Sequence, residues 1–161
     1  MNMIQIFGTN KSFDCKAAQR FFKERRLPFQ FVDLKEKEMS QGEFESVVAA
    51  LSKSLGSRSA AIEALIDTKS KDYSSVAYLD DSDKESKLFE NQAKLLVQPV
   101  CRNGKTEATV GMAQKVWEGW RLGGIIFFQN PATRISKYSA VLRLLLLEYL
   151  IPEYNLLLPI R

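Results

Sequence analysis

Ser12-Phe13-Asp14-Cys15 is the stretch that decides how this chain is read. It follows a short apolar run, Met3-Ile4-Gln5-Ile6-Phe7, that has the composition of a strand, and it opens a helical pattern. A helix start leaves N–H groups unpaired and carries a partial positive charge, and both favour a thiolate placed there. The chain therefore sets Cys15 one turn inside a helix start, where it feels that field, though less than a residue at the first position would. The residue three positions earlier, at the helix start itself, is Ser12.

Working outward, Ala17, Ala18, Phe21 and Phe22 are spaced to face a core, which predicts a helix from about Phe13 to Arg26. Leu27-Pro28 stops it. Phe29-Gln30-Phe31-Val32 then reads as a second strand leading into Asp33-Leu34. A strand, a helical crossover and a strand argue for a parallel pair. Ser40-Gln41-Gly42-Glu43 is a capping box that begins a helix running to about Leu55. Gly56-Ser57 breaks it, and a short helix from Ser59 to Leu65 follows. The polar stretch from Asp67 to Asp83 reads as a loop, and a helix from about Ser82 to Leu96 carries Leu88, Phe89, Ala93 and Leu96.

Val97-Gln98-Pro99-Val100-Cys101-Arg102 and Thr106-Glu107-Ala108-Thr109-Val110 flank Asn103-Gly104. Asn-Gly between extended runs signals a hairpin, because both residues accept positive φ. Gly111 to Trp120 reads as a closing helix with Met112, Val116, Trp117 and Trp120 as its apolar residues. Composition changes after Trp120. Gly123-Gly124-Ile125-Ile126-Phe127-Phe128 and Asn130-Pro131 form an irregular link, and Ser139 to Ile151 is a Leu-rich helical pattern ended by Pro152. It is too short and too charged to span a bilayer, which needs about 20 apolar residues.

Bulk composition narrows the chemistry. The chain has 161 residues, 45% hydrophobic and 26% charged, as expected for one soluble domain plus an extension. The net charge of +4 is spread among mixed runs such as Lys23-Glu24-Arg25-Arg26, so direct nucleic-acid binding has no basic, aromatic-laced patch to rest on. Histidine is absent, which removes Ser-His and Cys-His catalysis and every imidazole metal site. Two cysteines do not make a zinc site, so no metal and no resident cofactor are expected. Cys15 and Cys101 do not form a disulfide framework, and no charged leader with an apolar region precedes the first strand; the expectation is a cytoplasmic protein.

Strand, helix, strand, helical insertion, Pro-preceded hairpin and last helix is the order of a thioredoxin-like fold. Within it the chain resembles the arsenate reductase and Spx-type family. The resemblance is carried by Ile6-Phe7-Gly8-Thr9, by Ala17 to Arg26, by Phe31-Val32-Asp33-Leu34-Lys35-Glu36-Lys37, and by Leu65-Ile66-Asp67 to Tyr73. It continues in Gln98-Pro99-Val100-Cys101-Arg102-Asn103-Gly104, Thr109-Val110-Gly111 and Val116-Trp117. It covers about residues 1–120. It implies an α/β fold with a mixed four-stranded sheet, a helical subdomain inserted at about 40–96, and a C-terminal hydrophobic helical extension, 121–161, outside the match. It also implies a cis Pro99 facing the start of the first helix.

The family's functional positions map onto this chain with losses. The reducing cysteine of arsenate reductases, and the first cysteine of the Spx redox switch, fall on Ser12. A serine hydroxyl needs a base, and it cannot form a disulfide. Ser12 also suits a plain helix N-cap. Cys15 matches the second, resolving position; it either exchanges with glutathione or packs as a small buried residue. Gln98 stands near where the family places an oxyanion-holding arginine, and Arg102 is a candidate substitute. Lys11 could draw an anion to the helix start, or be a solvated loop lysine. Cys101 reads as core. The resemblance implies at most a weak glutathione-linked thiol oxidoreductase acting through Ser12 and Cys15, with Lys11, Gln98, Pro99 and Arg102 around the substrate. The alternative is an Spx-like module that binds the RNA polymerase alpha subunit without a redox switch. The Leu-rich tail would dock on the core, mediate self-association, or be the product of an altered reading frame.

Overall fold

The structure, a computed structural model, describes residues 3–121. Four strands form one mixed sheet in the order β2-β1-β3-β4. They are β1 (Ile4–Gly8), β2 (Phe29–Asp33), β3 (Val100–Asn103) and β4 (Glu107–Val110). β1 and β2 run parallel, joined across α1 (Phe13–Glu24), while β3 lies antiparallel to both β1 and β4. The inserted helices are α2 (Gln41–Leu55), α3 (Arg58–Leu65), α4 (Asp81–Glu90) and the single turn α5 (Gln92–Leu95), and α6 (Gln114–Arg121) closes the described chain.

Side-chain alternation along β1 divides the interior in two. Ile4 and Ile6 join Ala18, Phe21, Phe22, Cys101, Trp117 and Trp120 on the face covered by α1 and α6. Phe7 points the other way, with Val100, into a cluster built from α2, α3, α4 and α5. The register pairs Ile6 with Cys101 and Phe7 with Val100, so residues opposite one another share a face.

Local signals set most element ends. Ser40 and Glu43 form the reciprocal capping box, and Gly56 closes α2 in the left-handed region at φ 92°. Arg58 bridges Glu45 of α2 and Glu85 of α4, tying three inserted helices together on the surface.

Four expectations are corrected. The first helix ends at Glu24, because Arg26 turns into the left-handed region at φ 54° and Leu27 N–H bonds back to the Phe22 carbonyl. The long helix before the hairpin is interrupted at Asn91. There the buried Gln92 amide bonds both the N–H and the carbonyl of Met39. The hairpin loop has three residues, since Asn103 stays in β3 opposite Glu107 and only Gly104 takes positive φ. The last helix starts at Gln114 rather than Gly111; along it Trp117 and Trp120 are buried but Val116 is exposed, as is Met112 ahead of it. The Leu-rich extension and its expected self-association lie outside the described residues. Among the described residues, no helix is long and apolar enough to cross a membrane.

Candidate functional site

The end of β1, the start of α1 and the segment entering β3 meet at one point. Ser12 is the N-cap of α1, and its hydroxyl oxygen accepts the Cys15 N–H at 3.3 Å. The Ser12 N–H in turn bonds the Thr9 carbonyl, and Asn10 reaches Asp33 at 2.6 Å, which fixes the loop between β1 and α1. Cys15, one turn into the helix, is fully buried. Its side chain points to the sheet.

Gly8 makes room for it. Alternation puts Gly8 on the α1 face of β1, and a Cβ there would sit 2.2 Å from the Cys15 sulfur. The close approach, not backbone conformation, is what demands glycine. Gly8→Ala is expected to cost about 1–3 kcal/mol of stability in urea unfolding, through overpacking. The Cys15 Cβ stands 3.5 Å from the same point, an ordinary contact. The double variant Gly8→Ala/Cys15→Ala should therefore recover most of the loss, and additive losses would show that the sulfur is not the obstacle.

Gln98 closes the other side. Its Oε1 accepts from the Thr9 N–H and the Thr9 hydroxyl, both at 2.9 Å, while its Nε2 donates to the Ala93 carbonyl at 3.1 Å. The Cys15 sulfur lies 3.8 Å from the same Oε1. The Gln98–Pro99 bond is cis, and Pro99 is buried behind it.

Burial pushes the Cys15 thiol above its ordinary pKa. The Ser12 hydroxyl and the Thr9 N–H work against this, and the Asp14 and Asp33 carboxylates add to it. Cys101 is displaced further upward, by its own burial first and then by Cys15 nearby. Desolvation, which the sequence alone does not show, is thus the largest influence on this thiol.

A groove of about 510 Å³ opens beside the helix start. Ser12, Asp14, Asp67, Lys69, Lys94 and Gln98 are among its walls, and Cys15 is not. Lys11 is exposed on the loop and does not line it. Arg102 is corrected outright. It projects from the opposite face of the sheet, where its guanidinium bonds Gln5 and, at 2.7 Å, the Ser46 hydroxyl of α2. The reason is the two-residue period of β3: Cys101 faces α1, so Arg102 faces α2. Ser12, Cys15, Gln98 and Pro99 are brought together; Lys11 stands at the margin and Arg102 elsewhere. Gly8 and Thr9 are the residues that sequence reasoning missed. The strand alternation carries a signal for Gly8, since it extends the Ile4, Ile6 face by one step.

No protein family and no curated protein matches the chain at the sequence level. Solved structures do match. The arsenate reductase from Vibrio cholerae superimposes with a TM-score of 0.59 at 16% identity, covering 71% of this chain and 94% of that one. An ArsC family related protein from Bacteroides fragilis gives 0.56 at 14% identity, with 71% and 94% covered. An arsenate reductase (ArsC) related protein from Brucella melitensis gives 0.52 at 12%, with 73% and 93% covered. At such identities the likeness concerns the backbone, and with the mixed sheet, the inserted helices and the helix-start loop it shows that this chain has the thioredoxin-like fold of the arsenate reductase-related proteins.

Proposed function

We propose that the chain is a non-reducing protein on the arsenate-reductase fold, a module that receives a ligand in the groove beside Ser12 and does not exchange electrons with it. One observation carries this reading: the residue that faces the groove has no thiol, and the residue that has the thiol does not face the groove. Reduction of an oxyanion by thiols needs a thiolate to attack the central atom and a second thiol to release it as a disulfide. Ser12 can supply neither step, and its oxygen is already engaged as a cap. The groove's two lysines, Lys69 and Lys94, suit a small anionic ligand, and Asp14 and Asp67 suit the amine of a zwitterionic one such as glutathione. The test is arsenite formation from arsenate with excess glutathione. No turnover above the protein-free rate is expected. Turnover that disappears in Cys15→Ala would overturn the proposal.

A second reading keeps slow thiol exchange at Cys15, favoured by the thiol lying one helical turn from the groove. In it the Cys15 thiolate attacks oxidised glutathione, one glutathione leaves as the thiol, and a mixed disulfide remains. Because the folded-state pKa of Cys15 is raised, the neutral thiol stabilises the fold below the ordinary cysteine pKa, and this contribution is lost as pH rises through the folded value. On the first reading, glutathionylation read by intact mass should therefore be absent at neutral pH and begin only above the ordinary thiol range, together with weakening of the fold. Modification at neutral pH would make this second reading the better one.

A further inference from the structure

We infer that Gln98 is a positioning residue that holds the Cys15 sulfur in its protonated form, because the orientation of its side-chain amide leaves that sulfur an acceptor to face. The inference rests on the reading of Cys15 as a silent thiol, and it names what keeps it silent.

The orientation of a glutamine amide is decided by its partners. Here both ends of Gln98 meet backbone groups whose roles are not interchangeable. The Thr9 N–H can only donate, so the atom 2.9 Å from it is the oxygen. The Ala93 carbonyl can only accept, so the atom 3.1 Å from it is the nitrogen. Flipping the amide would break both bonds at once. The Cys15 sulfur is thus held 3.8 Å from Oε1, where an S–H can donate weakly and a thiolate would meet lone pairs.

Gln98 also diverts the donors that would serve a thiolate. The Thr9 hydroxyl bonds its oxygen, and the Thr9 N–H is shared between that oxygen and the sulfur. The remaining groups around the sulfur do not reverse this. Asp14 on α1 and Asp33 at the end of β2 are acidic and disfavour a second negative charge, and Cys101 on β3 is a buried neutral thiol. The Ser12 hydroxyl and the shared Thr9 N–H oppose them. Burial alone would hinder ionisation of any cysteine here; Gln98 adds a directional component that a change of one residue can invert.

The experiment is a pH titration of the Cys15 Cβ chemical shift in cysteine-labelled protein, with the signal assigned by its loss in Cys15→Ser. It needs no reagent to reach the buried sulfur. Gln98→Met removes the acceptor, frees the Thr9 hydroxyl and leaves the Thr9 N–H wholly to the sulfur, so the Cys15 pKa should fall by about one unit or more. Gln98→Glu keeps acceptors for Thr9 but sets a carboxylate against the sulfur, so the pKa should rise. Loosened packing alone would lower it in both variants, so opposite shifts support the inference. Shifts in the same direction, or no shift in Gln98→Met, overturn it. A parent protein whose Cys15 titrates below the ordinary thiol range would instead overturn the silent-thiol reading itself, before either variant is compared.

Discussion

Ser12→Cys is expected to turn the helix start into a reactive dithiol. The new sulfur would occupy the N-cap, where the Ser12 oxygen now takes the Cys15 N–H at 3.3 Å. A thiolate there gains that hydrogen bond and the field of the helix end, whereas Cys15 is buried behind it. Its pKa should fall at least about one unit below the ordinary thiol value, giving alkylation at neutral pH roughly tenfold faster or more than in the parent. Cys15 must rotate from Gly8 and Gln98 toward position 12 to form the disulfide, and the one-turn separation allows it. Mild oxidation followed by peptide mapping should find the 12–15 bridge. If the variant shows neither a fast-labelling thiol nor that bridge, Ser12 does not stand at the helix start as described. Because the groove already touches position 12, this is also the variant in which arsenate turnover should first be sought.

The largest loss of stability is expected at Trp117. This side chain is fully buried and sits at the centre of the face shared by α1, α6 and the sheet. Its ring lies 5.4 Å from Phe21 and 5.1 Å from Phe22, and its Nε1–H donates to the hydroxyl of Thr109 on β4 at 2.8 Å. Trp117→Ala should cost about 3–5 kcal/mol, from lost burial plus the cavity left behind. That is a large share of the roughly 5–15 kcal/mol by which a domain is stable. Trp117→Phe keeps an aromatic body and drops the donor, and about 1–2 kcal/mol is expected for it from the lost hydrogen bond and the smaller volume. Urea unfolding followed by circular dichroism measures both. A loss below about 1 kcal/mol in Trp117→Ala would contradict the placement of this residue at the core.

The two faces of β1 illustrate how far the sequence could be followed. Ile4, Gln5, Ile6 and Phe7 announce a strand, and Ser12 before an apolar-periodic run announces a helix start. Both are signals confined to a few neighbouring residues. The capping box at Ser40 and Glu43 is likewise read directly, because its partners are three residues apart. Arg102 shows the limit. Its distance from Pro99 in the chain suggested the site, but which face it serves depends on the register between β3 and β1. The break at Asn91 was equally hidden, since the group that Gln92 satisfies is the backbone of Met39, 53 residues away.

By itself, then, the sequence determined the order of elements, the helix start with its caps, the absence of any imidazole, and a serine rather than a thiol at position 12. Those follow from residue identity and short-range periodicity. The tertiary structure alone decided the surroundings of the Cys15 thiol. Cys15 is pressed against Gly8 and faces an amide oxygen contributed from 83 residues away, while the groove opens on Ser12 instead. Ionisation of a thiol depends on how much water reaches it and which dipoles surround it, and both are set by groups that only folding brings together.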